Sequence, residues 1–167
     1  RMPLSEGAYR DILNSPEIVA LPTWRVIDHA GPAADQVLTR ASGKPLTEGV
    51  PGFFTRDGFR KLRQMAPAAV RSEVAQTWVL GSKYAVTATG TGLQPLVDGT
   101  LDVYLKDYIR QWDALLGDIR LVRLNSTSAT IDVLNTLAGP ASPLKQLMVA
   151  AAAETTLVEP PPPAATT

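Results

Sequence analysis

Apolar residues return at helical spacing along most of this chain, and the strongest such run extends from Leu101 to Ile119. Leu101, Tyr104, Leu105, Tyr108, Ile109, Trp112, Leu115, Leu116 and Ile119 recur at steps of three and four, the spacing that lines one face of a helix. Asp102, Lys106, Asp107, Arg110 and Asp113 occupy the other face. The pattern predicts an amphipathic helix with a heavy aromatic seam. Aromatic side chains bury more area than any others, so the rest of the chain is expected to pack on this seam.

Before it, Ser5 is placed to cap a short helix through Asn14, with Tyr9, Ile12 and Leu13 at i, i+3 and i+4. Glu17 to Pro32 is broken by Pro22 and Pro32 and alternates at Trp24 and Val26, which predicts an irregular, partly extended crossing. Ala33 to Ala41 reads as a short helix around Val37 and Leu38. Gly49 to Phe59 holds the chain's 3 phenylalanines among glycines and reads as a structured loop tacked down by aromatics. Thr55 is the expected N-cap of a helix to about Gln64. Pro67 then opens a second helix, Ala68 to Leu80, striped with Val70, Val74 and Trp78 beside Ala75 and Val79. Val86 to Pro95 reads either as a loop or as the frayed end of a longer helix.

After the seam, Arg120 to Leu124 reads as a short extended connection. Ser126 or Thr127 caps a helix to Ala138 carrying Ile131, Val133, Leu134 and Leu137, stopped by Gly139 and Pro140. Ser142 and Pro143 repeat the start signal for a helix through Leu144, Leu147, Met148 and Ala150 to Ala153, so the two form a helical hairpin. From Glu159 the four consecutive prolines read as a semi-rigid tether. The expectation is an all-α, irregular multi-helix bundle over residues 1–158, with a few short extended segments and a Pro-rich C-terminal linker at 159–167.

Composition adds mainly exclusions. The 16 basic and 16 acidic residues balance, which gives no electrostatic pull toward nucleic acid or anionic lipid. With 0 cysteines, thiol catalysis, disulfides and zinc–thiolate sites are outside this chain's chemistry. No apolar run reaches the roughly 18 to 20 residues that span a bilayer. The start, Arg1-Met2-Pro3, lacks a signal-peptide layout and reads as an internal fragment of something longer.

Candidate chemistry is sparse. His29, the 1 histidine, stands beside Asp28 without metal-ligand spacing. Gly90-Thr91-Gly92 is half of a dinucleotide fingerprint and lacks the phosphate-binding lysine. Arg56, Arg60, Lys61, Arg63 and Arg71 form the basic cluster, able to meet an acidic partner or phosphate, but read first as a solvated face. Asp102, Asp107, Asp113 and Asp118 read as solubilising charge, and Tyr104, Tyr108 and Trp112 as core. No catalytic, cofactor-binding or metal-binding residue is assigned.

Three segments in order, residues 49–62, 104–122 and 131–148, carry a more specific signal. Pro51-Gly52-Phe53-Phe54-Thr55 with Gly58 and Phe59, then Tyr104, Tyr108 and Trp112, then Leu134, Leu137, Ala138, Gly139, Ser142, Pro143 and Leu144 resemble the periplasmic helical region of the IcmF-related family of bacterial type VI secretion. The resemblance implies a non-catalytic scaffold in the periplasm, cut from an inner-membrane-anchored subunit and lacking that subunit's β-rich C-terminal domain. Its implied partners are an outer-membrane lipoprotein and a second inner-membrane subunit, with no nucleic acid, no cofactor and no membrane insertion by this segment. A helical module that holds a peptide or glycan on an exposed aromatic row is the alternative. An enzyme would require His29 to meet a carboxylate in a cleft.

Overall fold

A computed structural model describes residues 4–79 and 92–158. The elements run α1 (Leu4–Leu13), α2 (Pro16–Val19), β1 (Trp24–Arg25), α3 (Val26–His29), α4 (Ala34–Val37), β2 (Leu38–Arg40) and β3 (Gly49–Val50). A single 3-10 turn (Gly52–Phe54) leads into α5 (Arg56–Val79), followed by α6 (Leu93–Asp118), β4 (Ile119–Leu121), α7 (Thr127–Ala138) and α8 (Pro143–Thr155). The architecture is mostly helical, with two small antiparallel strand pairs. Helices α1, α5 and α6 pack on one another, while α8 packs on α3 and α4, and α7 on α4 and α8.

Local signals explain the element ends. Thr55 Oγ1 accepts from the Gly58 N–H at 3.3 Å and donates to the Gly52 carbonyl at 2.7 Å, so one hydroxyl caps α5 and ties it to the turn before it. Ser126 accepts from Ala129 N at 3.0 Å, and Ser142 from Lys145 N at 3.4 Å, starting α7 and α8 where the sequence places them. The helix expected from the periodicity between Leu101 and Ile119 is present but longer, since α6 already begins at Leu93. The stretch from 80 to 91 lies outside the described residues, as does the Pro-rich 159–167 segment.

Four expectations are corrected. Pro67 does not open a new helix but lies inside α5, which is continuous over 24 residues. Leu62, Ala66, Val70 and Val74 lie on one buried line that crosses the proline. Burying a Leu or Val side chain contributes about 1.5–3 kcal/mol each, enough to offset the ~3 kcal/mol of an interior proline. Leu38 does not continue α4 but begins β2, which pairs with β4 through Leu38–Leu121, Thr39–Arg120 and Arg40–Ile119. Ser5 lies within α1 rather than before it, and donates to the Leu96 carbonyl at 3.2 Å, fastening α1 to α6. Ile109, assigned to the inward face of α6, is 58% exposed.

The loop before α5 is closely packed. Phe53 and Phe54 are buried, and Gly52 packs against Leu21 and the Pro22 carbonyl. A Cβ on Gly58 would land on the Phe53 carbonyl oxygen. Gly58→Ala is therefore expected to lower unfolding stability by about 1–3 kcal/mol, measured by urea denaturation; an unchanged midpoint would show that the loop yields freely.

Between α1 and α5, Glu73 shares a hydrogen bond with Asp11. That bond, partial burial and the Asp11 charge together raise the Glu73 carboxyl to about 6. The folded chain thus holds this proton more tightly than the unfolded chain. Its stabilising effect is full below the ordinary carboxylate range and is lost as pH rises through about 6. Glu73→Gln is expected to raise the melting temperature at neutral pH and to have little effect near pH ~4. A lower melting temperature at neutral pH would contradict the shared-proton account.

Candidate functional site

The aromatic row of α6 is the chemical centre of the fold, and it faces inward. Tyr104, Tyr108 and Trp112 are 0%, 5% and 3% exposed. Tyr104 meets Phe53 edge-on at 4.9 Å between ring centres and stacks near Phe54 and Phe59, while Trp112 meets Trp24 edge-on at 4.9 Å. Each polar tip reaches a backbone carbonyl. The Tyr104 hydroxyl donates to Phe53 O at 2.7 Å, Trp112 Nε1 to Phe54 O at 2.8 Å, and the Tyr108 hydroxyl to Glu154 O at 2.8 Å. Burial is the main cause raising both phenols, Tyr108 to about 12 and Tyr104 further, so both stay protonated donors. The row thus offers no exposed ring for a sugar or peptide.

Among the described residues, two of the open concavities flank this core. One, of about 390 Å³, is lined by residues from Leu21 to Trp24 and by Asp28, His29, Gly52, Thr55, Asp57 and Glu154. His29 stacks on Trp24 with ring centres 4.4 Å apart and planes 6° from parallel. Its neighbour Asp28 is engaged by Arg25 through two hydrogen bonds of 2.7 and 2.8 Å, and that pairing holds the Asp28 carboxyl below its usual value. The other, of about 540 Å³, brings together Arg56, Arg60 and Arg63 from the basic cluster, with Phe59, Gln64, Leu157 and Val158. Lys61 turns instead toward Glu17 at 3.9 Å, and Arg71 is exposed elsewhere on α5.

The aspartates expected to be plain surface charge divide. Asp102 and Asp113 are exposed. Asp107 accepts from the Tyr9 hydroxyl at 2.7 Å and pairs with Arg110. Asp118 accepts from Ser42 N and Oγ at 2.8 and 2.6 Å and from Arg40 Nε at 2.8 Å, bonds that hold its carboxyl below the usual range and fix the end of β2 to the end of α6. Sequence reading missed the Tyr9–Asp107 bond and the Asp118 contacts because those partners lie far away along the chain. Gly90 and Thr91 lie outside the described residues, and Gly92 flanks the start of α6. Among the described residues no cluster of three or more His, Asp or Glu is arranged to hold a metal ion.

The profile of the IcmF-related family, described as "Intracellular multiplication and human macrophage-killing", matches residues 1–156. The chain belongs to the IcmF-related family. It is 35% identical over 154 residues to the type VI secretion system component TssM1 of Pseudomonas aeruginosa, which covers 90% of this chain and 13% of that protein. The chain thus spans about an eighth of that relative's length. No solved structure matches it.

In this IcmF-related chain, the three segments that carry the resemblance meet in one core. The Gly52–Phe54 turn supplies the carbonyls, α6 supplies the donors, and the α7–α8 hairpin adds Val133, Leu147 and Ala151. Tyr104→Phe keeps the ring but leaves Phe53 O buried without its donor, and is expected to cost about 1–3 kcal/mol in a urea titration. Tyr108→Phe, whose partner carbonyl lies nearer the surface, should cost less; equal losses would mean that the carbonyl contact is not what matters.

Proposed function

We propose that this chain is a non-catalytic structural segment of a type VI secretion subunit, standing in the periplasm between that subunit's membrane anchor and a distal β-rich domain. In this reading it belongs to the envelope complex, whose other members include an outer-membrane lipoprotein and a second inner-membrane subunit. The observation that carries it is the use made of the α6 aromatics. All three rings are buried and all three polar tips are spent on carbonyls of the protein itself, which suits a rigid spacer and not a ligand platform. The family membership and the TssM1 likeness supply the secretion context. Among the described residues no helix is long and apolar enough to cross a membrane, which is compatible with a segment lying outside the bilayer.

An exposed apolar strip on the α7–α8 hairpin supports an assembly role. Ile131, Leu134 and Met148 are 52%, 55% and 53% exposed, an apolar surface expected to be covered in a larger structure. The test belongs in the full-length protein of a secreting bacterium. Ile131→Asp with Leu134→Asp is expected to reduce secretion several-fold at normal protein levels, while His29→Ala secretes normally. Loss of secretion in a stable, normally abundant His29→Ala protein would overturn the non-catalytic reading.

A further inference from the structure

The first turns of α5 carry arginines that the aromatic core does not use. Arg56, Arg60 and Arg63 are spaced four and three residues apart, so the helix sets them on one face, over the cavity of about 540 Å³. The acidic groups beside it are already engaged. Asp57 Oδ1 lies 3.2 Å from Arg60, and Glu154 Oε2 accepts the Arg56 backbone N–H at 2.9 Å. Among the described residues, neither the Arg56 nor the Arg63 guanidinium forms an ion pair. The Arg63 guanidinium lies 5.8 Å from the centre of the Phe59 ring, an aromatic contact that leaves guanidinium N–H donors available to a carboxylate.

The opposite wall is apolar. Leu157 is half-buried and Val158 is 80% exposed, and both face the same cavity as the arginines. A simple inorganic anion would use the guanidinium groups and leave that wall wet. A ligand that pairs carboxylates with an apolar side chain would use both.

We propose that this cavity is a docking site for an acidic peptide segment of a partner protein, its carboxylates held by Arg56 and Arg63 and an apolar side chain laid against Phe59, Leu157 and Val158. The site does not depend on the chain's place in secretion.

The test is an NMR titration of the 15N-labelled 167-residue chain with the peptide acetyl-Asp-Leu-Glu-Leu-Asp-amide, following the arginine Nε–Hε signals. Saturable shifts at Arg56 and Arg63 are expected, with affinity falling about tenfold or more in Arg56→Gln/Arg63→Gln and falling as salt is raised. Val158→Asp, at an exposed position, gives a second variant that leaves the fold alone and should also weaken binding. The proposal is overturned if the peptide causes no shift at millimolar concentration or binds both variants as tightly as the parent. It is equally overturned if inorganic phosphate, or the same peptide with serine for leucine, matches the acidic peptide, since either would mark a plain anion site.

Discussion

Two adjacent carbonyls inside an apolar core set the terms for this fold. The 3-10 turn at Gly52–Phe54 buries the Phe53 and Phe54 rings and, in doing so, takes their backbone oxygens out of water. A buried carbonyl without a donor costs about 1–3 kcal/mol, a large share of the roughly 5–15 kcal/mol by which a domain is stable. Leu or Phe at 104 and 112 would fill the same space but leave both oxygens orphaned. Tyr and Trp fill it and carry a donor at the far end of the ring, which is why an aromatic row with polar tips, rather than an aliphatic one, fits here. The two bonds also pin the register of α6, because a slide or rotation along the loop would remove both donors together.

The remaining contacts close this pair into a circuit. Tyr108, between the two donors on α6, reaches Glu154 near the end of α8. The Glu154 carboxylate then caps the first N–H of α5, and Thr55, one residue earlier, returns to the Gly52 carbonyl at the start of the turn. Loop, α6, α8 and α5 thus hold one another through bonds that, apart from the local Thr55–Gly52 contact, join residues distant in sequence. A carboxylate at a helix N-terminus also meets the favourable end of the helix dipole, so Glu154 stabilises α5 in two ways with one side chain.

What was legible in the sequence was local. Thr55, Ser126 and Ser142 announce their helices because a cap needs only the next three residues, and the Tyr104–Trp112 spacing announces a face because periodicity is carried by one helix alone. What was hidden depends on distant neighbours. Leu38 to Arg40 has no strong preference by itself and becomes a strand only because Ile119 to Leu121 lies alongside. Pro67 signals a helix start in isolation, and only the buried line from Leu62 to Val74 carries α5 across it. Asp118 reads as a surface charge until the β2 turn brings Arg40 and Ser42 to it. The Arg56–Arg63 face was visible, but not its apolar wall, which comes from Leu157 and Val158, far along the chain.

The helical hairpin shows where the core ends. Helix α7 spans 12 residues, yet Val133 is its one fully buried side chain, while Ile131 and Leu134 stay in contact with water. A helix with so thin a buried stripe gains little from the domain it sits on, so its stability must be lower than that of α5 or α6. At about half exposure, Ile131 and Leu134 bury only part of their side chains and so add little to the stability of the segment.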